Sequence, residues 1–461
     1  MRHASRPRKA AAAALAAIGL ALTVTVQACA AAPGHLVSGR SGPIVGPVSQ
    51  LSRGSCADGN AEVETASDPA RGYVYAEWIG CKRIGFAASA NGGRTWTSEL
   101  TLPGSAGRSW DPAITVGPSG AIYAAFMVYD PVGRPGHYYP VVDISGNHGT
   151  SFRVSRLGAP AAGDFGDRDF VAVGPDGRIY VTWDYAPVGS EVKVVCYKGG
   201  SCGYSNGDLN EVIQTSANGG RTWSKITPVA PGYPDSGSVS APVIVRPSGQ
   251  VDVLYERFAV SAGTLALGPG HDYFTSSADG GRTWARPVRL GPASDSVSLR
   301  TWWIDGSLAA DAGGNLYATW TTQGGGRDTG WLEYSTTDGR SWSGPRQVIS
   351  SPAGSADIVQ VLGGASGTGY VGMLTDGSGS GSGSGSGYLQ YLRAYSIGRG
   401  WQTQAVRVSP RPGRRPVWPG DTFGLALLGG RPGQRRVAVS WGGAMPRRQS
   451  EIRAAVVSAL P

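Results

Sequence analysis

The octapeptide SANGGRTW occupies residues 89–96 and returns unchanged at residues 216–223. Three related octapeptides are SGNHGTSF at 145–152, SADGGRTW at 277–284 and STTDGRSW at 335–342. All five fit Ser-x-Asp/Asn-x-Gly-x-Thr/Ser-aromatic, except that the last has its acid one position late, at Asp338. Several copies of one pattern in a single chain indicate a repeat architecture.

The residue types of the octapeptide are those of a tight turn. Asn91, Asn147, Asn218 and Asp279 can accept hydrogen bonds from backbone N–H groups two residues further on. The glycine at the fifth position tolerates a positive φ, and the closing aromatic ring can pack beneath the turn. We therefore expect these polar residues to hold hairpins together and to have no catalytic role.

A second repeat covers more of the chain than the octapeptide does. Short β-branched and aromatic segments, each after a glycine or a polar turn, end at Trp78, Phe126, Trp183, Tyr255, Trp320, Leu374 and Trp441. An apolar run precedes most of them, so each unit reads as four short strands. Seven such units predict an all-β fold, a seven-bladed β-propeller of four-stranded antiparallel blades. Segment 46–52 is similar to the fourth strands and is predicted to close the ring by completing the blade that contains 437–441.

On these octapeptides the chain resembles the sialidase-like Asp-box (BNR repeat) β-propeller superfamily, over roughly residues 45–461. The resemblance implies that the boxes lie on one face and that a ligand site lies on the opposite face. Members include sialidases, other glycan hydrolases and non-enzymatic receptors or assembly factors. True sialidases have an Arg-Ile-Pro motif, which is absent here; the nearest match is Arg83-Ile84-Gly85. If the chain is an enzyme, the resemblance implies a glycoside hydrolase, but it does not favour cleavage of sialic acid.

Carboxylates gather in the loops expected at that opposite face, and Asp111, Asp167 and Asp421 lie near the entrances to first strands. A glycosidase needs two carboxyl groups on either side of the scissile bond. The candidate catalytic residues are Asp169, Glu256 and Asp305. The alternative is that these acids form ion pairs with the neighbouring Arg168, Arg257 and Arg300, or cap turns.

Aromatic residues share these loops. A flat ring beside polar groups suits a sugar, which presents an apolar C–H face and a rim of hydroxyls. The candidate substrate-binding residues are Trp110, Arg168, Arg300, Trp302 and Trp303, and the alternative for each ring is packing between blades. Arginines at 409–415 and 447–448 favour an acidic glycan over a neutral one. The function expected is binding or hydrolysis of a glycan; the alternative is a non-catalytic scaffold or a propeller that binds a cell-surface protein.

The N-terminus has the features of an export signal. Four basic residues precede an apolar stretch from Ala10 to Val26, and small residues surround Cys29. Residues 1–28 are therefore predicted to be a signal peptide, with Cys29 lipidated after cleavage and 29–45 as a linker before the propeller at 46–461. The alternative is plain secretory cleavage near residues 30–32. Either route predicts an extracellular protein, secreted or held at the cell surface by the lipid alone.

The four other cysteines are predicted to form two disulfides in that oxidising compartment. Cys56 and Cys81 are expected to face each other across a hairpin that turns near Asp68–Pro69, and Cys196–Cys202 would close a short loop. The few histidines are scattered and no CxxC occurs, so no metal and no cofactor are predicted. Without residues 1–28 the chain has 37 Lys and Arg against 32 Asp and Glu, a balance too mild to indicate nucleic-acid binding. The Gly-Ser tract at 377–387 is predicted to be a flexible tether.

Overall fold

The seven segments predicted as second strands each lie inside a separate antiparallel sheet of the computed structural model. The structure describes residues 42–52, 60–81, 83–105, 108–130, 137–158, 164–190, 192–196, 202–204, 207–233, 235–260, 267–293, 306–324, 327–349, 356–375, 388–410, 420–445 and 449–461. Within these ranges the chain forms strands and no helices, and the fold is the predicted seven-bladed β-propeller.

The described chain begins with two short strands, followed by the first three blades. The short strands are β1 (Ile44–Val45) and β2 (Ser49–Gln50). Blade 1 has β3 (Ala61–Asp68), β4 (Tyr73–Ile79), β5 (Ile84–Ser89) and β6 (Leu100–Thr101). Blade 2 has β7 (Arg108–Val116), β8 (Ile122–Asp130), β9 (His137–Ser145) and β10 (Arg153–Arg156). Blade 3 has β11 (Phe165–Val173), β12 (Ile179–Ala186), β15 (Asn210–Ser216) and β16 (Thr227–Ala230), with an inserted hairpin of β13 (Val194–Cys196) and β14 (Cys202–Tyr204).

The last four blades follow the same order. Blade 4 has a first strand in two pieces, β17 (Ser236–Val239) and β18 (Val243–Val245), then β19 (Val251–Val260), β20 (Leu267–Ser277) and β21 (Val288–Arg289). Blade 5 has β22 (Ser307–Ala310), β23 (Leu316–Gly324), β24 (Arg327–Ser335) and β25 (Arg346–Gln347). Blade 6 has β26 (Ile358–Gly363), β27 (Thr368–Thr375), β28 (Leu389–Ser396), β29 (Gly400–Trp401) and β30 (Val406–Arg407). Blade 7 has β31 (Gly424–Leu427), β32 (Arg435–Met445) and β33 (Gln449–Leu460).

The N-terminal strands supply the outer edge of blade 7. β1 pairs with β33 through Ile44 and Ser458, and β2 pairs with it through Ser49 and Ala454. The backbone N–H of Ile452 also donates to Ser52 Oγ at 2.8 Å, although the two residues are 400 positions apart in the chain. The sheet of blade 7 therefore holds residues from both ends of the described chain.

The second strands form the centre of the blades because each buries a large apolar residue at the same position. These residues are at most 2% exposed: Trp78, Phe126, Trp183, Tyr255, Trp320, Leu374 and Trp441. Each is the last residue of the segment from which the repeat was recognised in the sequence. Burial of such side chains between neighbouring sheets is the main apolar contribution to the stability of the ring.

The five octapeptides join third strands to fourth strands, and we call the side that carries them the turn face. In the first of them, Asn91 Oδ1 accepts from the N–H groups of Arg94 and Thr95 at 3.1 and 2.9 Å. Ser89 Oγ accepts from the N–H of Gly93 at 2.9 Å. The structural role predicted for Asn91 is thus observed, but its oxygen serves N–H groups three and four residues on and not two.

The fifth octapeptide uses a different residue for this role. Thr337 occupies the third position, and its Oγ1 accepts from the N–H of Ser341 at 3.0 Å. Asp338 adopts a positive φ of 56° and forms an ion pair of 2.9 Å with Arg246 of blade 4. The displaced acid therefore links two blades, while the threonine hydroxyl holds the turn.

The cysteines are only partly described. In the β3–β4 hairpin Asp68 pairs with Tyr73 and Ala61 with Ile79, so the turn spans residues 69–72 and is longer than the turn expected near Asp68–Pro69. Cys81 is disulfide-bonded, and Cys56 lies outside the described residues, so their pairing stays a prediction. Cys196 and Cys202 are register partners in the β13–β14 hairpin, and their bond stays a prediction too.

None of the described segments forms a helix with the length and apolar character that crossing a membrane requires. Residues 1–28, Cys29 and the Gly-Ser tract at 377–387 lie outside the described residues.

Candidate functional site

We call the side opposite the turn face the channel face. The first strands of four consecutive blades share a local distortion of the backbone there. A residue other than glycine has a positive φ there: Glu62 (47°), Asp111 (50°), Arg168 (46°) and Ser240 (58°). The strand register shifts at the first three, between Ala61 and Val63, Trp110 and Ala113, and Asp167 and Phe170. Bulges of this kind re-aim side chains and occur often beside functional sites.

Four charged side chains meet at this face, and we call Glu62, Asp111, Arg168 and Asp421 the mouth cluster. Arg168 Nη2 donates to Asp421 Oδ2 at 2.5 Å, and both side chains are buried. The backbone N–H of Arg168 donates to Asp111 Oδ2 at 2.7 Å, and that of Asp111 donates to Glu62 Oε2 at 3.1 Å. One carboxylate oxygen from each of the three acids lies within 4.8 Å of the others.

Burial and mutual repulsion change the acidity of this cluster. Burial, followed by the charges of Asp421 and Asp111, raises the pKa of Glu62 well above its ordinary value. Burial also raises the pKa of Asp111, and Asp167 adds to this effect while Arg168 opposes it. The charged forms of Glu62 and Asp111 are therefore disfavoured at this site.

A cavity of about 210 Å³ lies on the axis of the propeller and adjoins the mouth cluster. Its lining includes residues from the inner side of all seven blades: Glu64, Asp111, Asp169, Pro242, Ser307, Gln360 and Thr422. Gln360 Nε2 donates to Glu64 Oε1 at 3.1 Å and so links blade 6 to blade 1. The described wall combines carboxylates and Arg168 with apolar residues, a mixture typical of ligand sites.

Asp169 is the one candidate catalytic residue that the structure places in this cavity wall. Its side chain is 2% exposed, and neither carboxylate oxygen accepts a hydrogen bond from a described residue. Burial raises its pKa well above the ordinary value. Glu256 is buried in β19, opposite Val239 and Asp272, and is not among the described residues that line the cavity. Asp305 lies outside the described residues and stays a prediction.

Two of the candidate substrate-binding residues are described. Trp110 is half-buried; its Nε1–H donates to Asp167 Oδ1 at 2.7 Å, and its ring meets Tyr138 edge-on at 6.0 Å. Arg168 lines the cavity and pairs with the distant Asp421, not with the adjacent Asp169. Arg300, Trp302 and Trp303 lie outside the described residues, so their role stays a prediction.

A second group of acids crosses blade 3, with Asp184 and Glu211 buried and Asp167 half-buried. Asp167, Asp184 and Glu211 lie side by side on β11, β12 and β15. Burial, followed by the charge of Glu211, raises the pKa of Asp184 well above its ordinary value. The hydroxyl of Tyr204, from the inserted hairpin, lies 3.5 Å from Asp184 Oδ2. This hairpin therefore covers blade 3 and adds a buried tyrosine close to the axis.

Glu62 is the residue of the mouth cluster that was not singled out from the sequence. It stands at the same place in its first strand as Asp111 and Arg168 do in theirs. Alignment of the first strands of blades 1 to 3 on their second strands is the signal that could have found it.

The comparisons with known proteins show the fold and no more. No protein-family model matches the chain, and no curated protein sequence matches it.

A solved structure of a protein of unknown function from Dyadobacter fermentans is 14% identical, with a TM-score of 0.51, covering 91% of this chain and 99% of its own. An ulvan lyase, described as a new family of polysaccharide lyase and bound to a saccharide of GlcA and Rha3S, is 14% identical with a TM-score of 0.52. That match covers 89% of this chain and 96% of the lyase. The polysaccharide lyase Uly1 is 10% identical with a TM-score of 0.51, covering 89% and 92%. Proteins that process glycans are thus among the structures with a similar propeller.

Proposed function

We propose that this chain is an exported propeller that binds or hydrolyses a glycan at the channel face. The observation that carries the proposal is the axial cavity, whose wall includes Asp169, Asp111 and Arg168. A buried carboxyl group in a cavity can act as a proton donor or as an acceptor for sugar hydroxyls. The likeness in fold to an ulvan lyase bound to its saccharide supports a glycan as the ligand.

The charges of the described wall bear on the kind of glycan. Glu64, Asp111 and Asp169 contribute carboxyl groups, and Arg168 is already paired with Asp421. This wall favours a neutral sugar in the cavity itself. The arginines at 411–415 and 447–448, which led us to expect an acidic glycan, lie outside the described residues.

A screen of the full chain against a glycan array, fluorogenic glycosides and uronate-containing polysaccharides tests the proposal. We expect retention of a glycan, reduced at least about tenfold by Asp169→Asn, because the loss of one positioned polar contact typically costs that much. Asp143→Asn is the matched control: Asp143 is an equally buried acid that accepts from the N–H of Gly104 at 2.8 Å and is not among the described residues that border the cavity.

The outcomes distinguish a glycan function from the scaffold function, the two that the sequence left open, and they also distinguish an enzyme from a binding module. Turnover that Asp169→Asn abolishes identifies an enzyme, whereas binding without turnover identifies a glycan-binding module. If no glycan is retained and a protein partner binds the channel face, the scaffold function replaces the one proposed here. Export and anchoring at Cys29 are part of the same proposal, and membrane fractionation of wild type and Cys29→Ala tests them.

A further inference from the structure

The described residues at the mouth of the channel carry more negative charge than their own contacts neutralise. Glu62, Asp111, Asp167 and Asp421 adjoin one buried arginine, Arg168. Buried charges are normally paired or coordinate metal ions, because an unpaired charge in a low-dielectric site is costly. Among the described residues, one arginine leaves most of these carboxylates without a counter-charge.

Oxygen atoms without hydrogen-bond partners among the described residues surround the same place. Both carboxylate oxygens of Asp169, the Oδ1 of Asp421 and the Oγ1 of Thr422 are buried and belong to this set. Asp169 and Thr422 line the cavity together with Asp111. Native proteins rarely leave buried polar atoms unpaired, and an unpaired set made only of oxygen suits a hard cation.

We propose that Glu62, Asp111 and Asp421 bind one hard divalent cation of the calcium type at the mouth of the channel. Calcium–oxygen distances are about 2.3–2.6 Å, so three oxygens that lie within 4.8 Å of one another can contact a single ion. Arg168 occupies Oδ2 of Asp421, which leaves Oδ1 for the ion. Asp169 and Thr422 offer further oxygens along the cavity wall, directly or through water.

The position of the site gives the ion a role in closing the ring. Asp421 precedes the first strand of blade 7, and Glu62 and Asp111 belong to the first strands of blades 1 and 2. The ion would therefore join the last blade to the first two on the inner side of the ring, where blade 7 meets blade 1. The calcium site does not rest on the proposed glycan function, because binding of the ion should stabilise the fold whether or not a glycan binds.

Calorimetric titration of the full chain with CaCl₂, after treatment with EDTA, tests the site directly, and MgCl₂ is the comparator. We expect one calcium per chain and weaker binding of magnesium, which demands shorter bonds in near-ideal octahedral geometry. At calcium about 100-fold above the Kd, the Tm should rise by at least about 2 °C.

Asp111→Asn and Glu62→Gln should each weaken calcium binding at least about tenfold and abolish the rise in Tm. Asparagine tolerates the positive φ at position 111, so Asp111→Asn keeps the backbone while it removes the charge. Asp143→Asn, outside the cluster, should bind calcium as the wild type does. Absence of calcium binding by the wild type, or undiminished binding by both cluster variants, would overturn the proposal. Loss of glycan retention with intact calcium binding would count against the glycan function alone.

Discussion

The two faces of the propeller use positive φ angles in opposite ways. On the turn face, glycine fills the fifth position of every octapeptide with φ between 76° and 86°, and within the octapeptides residues with side chains have a positive φ only at two fourth positions, His148 and Asp338. On the channel face, Glu62, Asp111, Arg168 and Ser240 adopt positive φ in spite of their side chains. A side chain in the left-handed region costs roughly 1–2 kcal/mol, which glycine avoids.

Hydrogen bonding separates the faces in the same way. Asp279 of the turn face accepts from Ser277, Arg282 and Thr283, whereas neither oxygen of Asp169 in the channel accepts a bond from the described part of the chain. The repeated turns are optimised for stability, and the residues around the channel retain strain and unpaired polar atoms. Such a division is expected where a scaffold carries a functional site, because function tolerates local costs that a purely structural region would not.

Gly339→Ala should have the largest effect, on the turn face. A Cβ at Gly339 would overlap the ring of Phe274 in blade 4, and its φ is 78°. We expect a loss of about 3 kcal/mol in the free energy of unfolding, from left-handed strain and overpacking together. Chemical denaturation measures it.

Gly314→Ala is the control for this experiment. Gly314 has a similar φ of 81°, but a Cβ at this position would have no atom of the described residues within 4 Å. It should lose only about 1 kcal/mol, the cost of the backbone conformation. Equal losses in the two variants would show that contact between blades at the turn face adds nothing.

Ser240→Gly should have a smaller effect of the opposite sign, on the channel face. Ser240 has a φ of 58°, and its buried Oγ has no hydrogen-bond partner among the described residues. Its backbone N–H donates to Asp184 Oδ1 at 2.9 Å, a bond that glycine keeps. We expect a gain of about 1 kcal/mol in the free energy of unfolding, since the strain is relieved.

Ser238→Gly provides the matched comparison for that gain. Ser238 is equally buried, and its Oγ is likewise unpaired within the described ranges, but it lies in the extended β17. Glycine there should lose about 0.5–1 kcal/mol through the entropy of the unfolded chain. If both variants lose stability, strain at position 240 is not the cause of the contrast between the faces.

Asp279→Asn should have the smallest effect on stability, and this effect should depend on pH. Hydrogen bonds from the side chain and the backbone N–H of Thr283 lower the pKa of Asp279. Its charged form therefore stabilises the fold above the unfolded pKa of about 4, and this contribution is lost as the pH falls towards the folded pKa. Thermal melts should show less acid destabilisation for the variant than for the wild type. Asn218→Asp, in the otherwise similar turn at 216–223, should acquire the dependence that Asp279→Asn loses.

The sequence predicted the blades because their signals are local. Each second strand follows a turn of its own and buries a large residue such as Trp183, and each octapeptide makes the hydrogen bonds that shape its turn within itself. The sequence analysis did not assign the turn-closing role to Thr337, because the pattern has Asp or Asn at this position. A threonine hydroxyl can also accept the hydrogen bond that closes such a turn. The turn of the first hairpin was predicted too short, because Asp68–Pro69 marks only its beginning and it extends over residues 69–72.

The mouth cluster could be predicted only in part, because its members are brought together by closure of the ring. Asp111 and Asp421 were recognised as acids near strand entrances, but the bond between Arg168 and Asp421 spans 253 positions in the chain. Glu62 joins them only when blade 1 lies beside blade 7. No local pattern in the sequence indicates that such distant residues come into contact.

The pairing of β1 and β2 with β33 has a consequence for the order of events during synthesis. Blades 1 to 6 draw their strands from continuous stretches of chain and can form as the polypeptide emerges, whereas blade 7 must wait for residues 449–460 to reach an N-terminal segment made 400 positions earlier. The approach of Asp421 to Glu62 is delayed in the same way, because Asp421 belongs to blade 7. The mouth cluster is therefore incomplete until blade 7 has formed, which requires residues 449–460 to have been made.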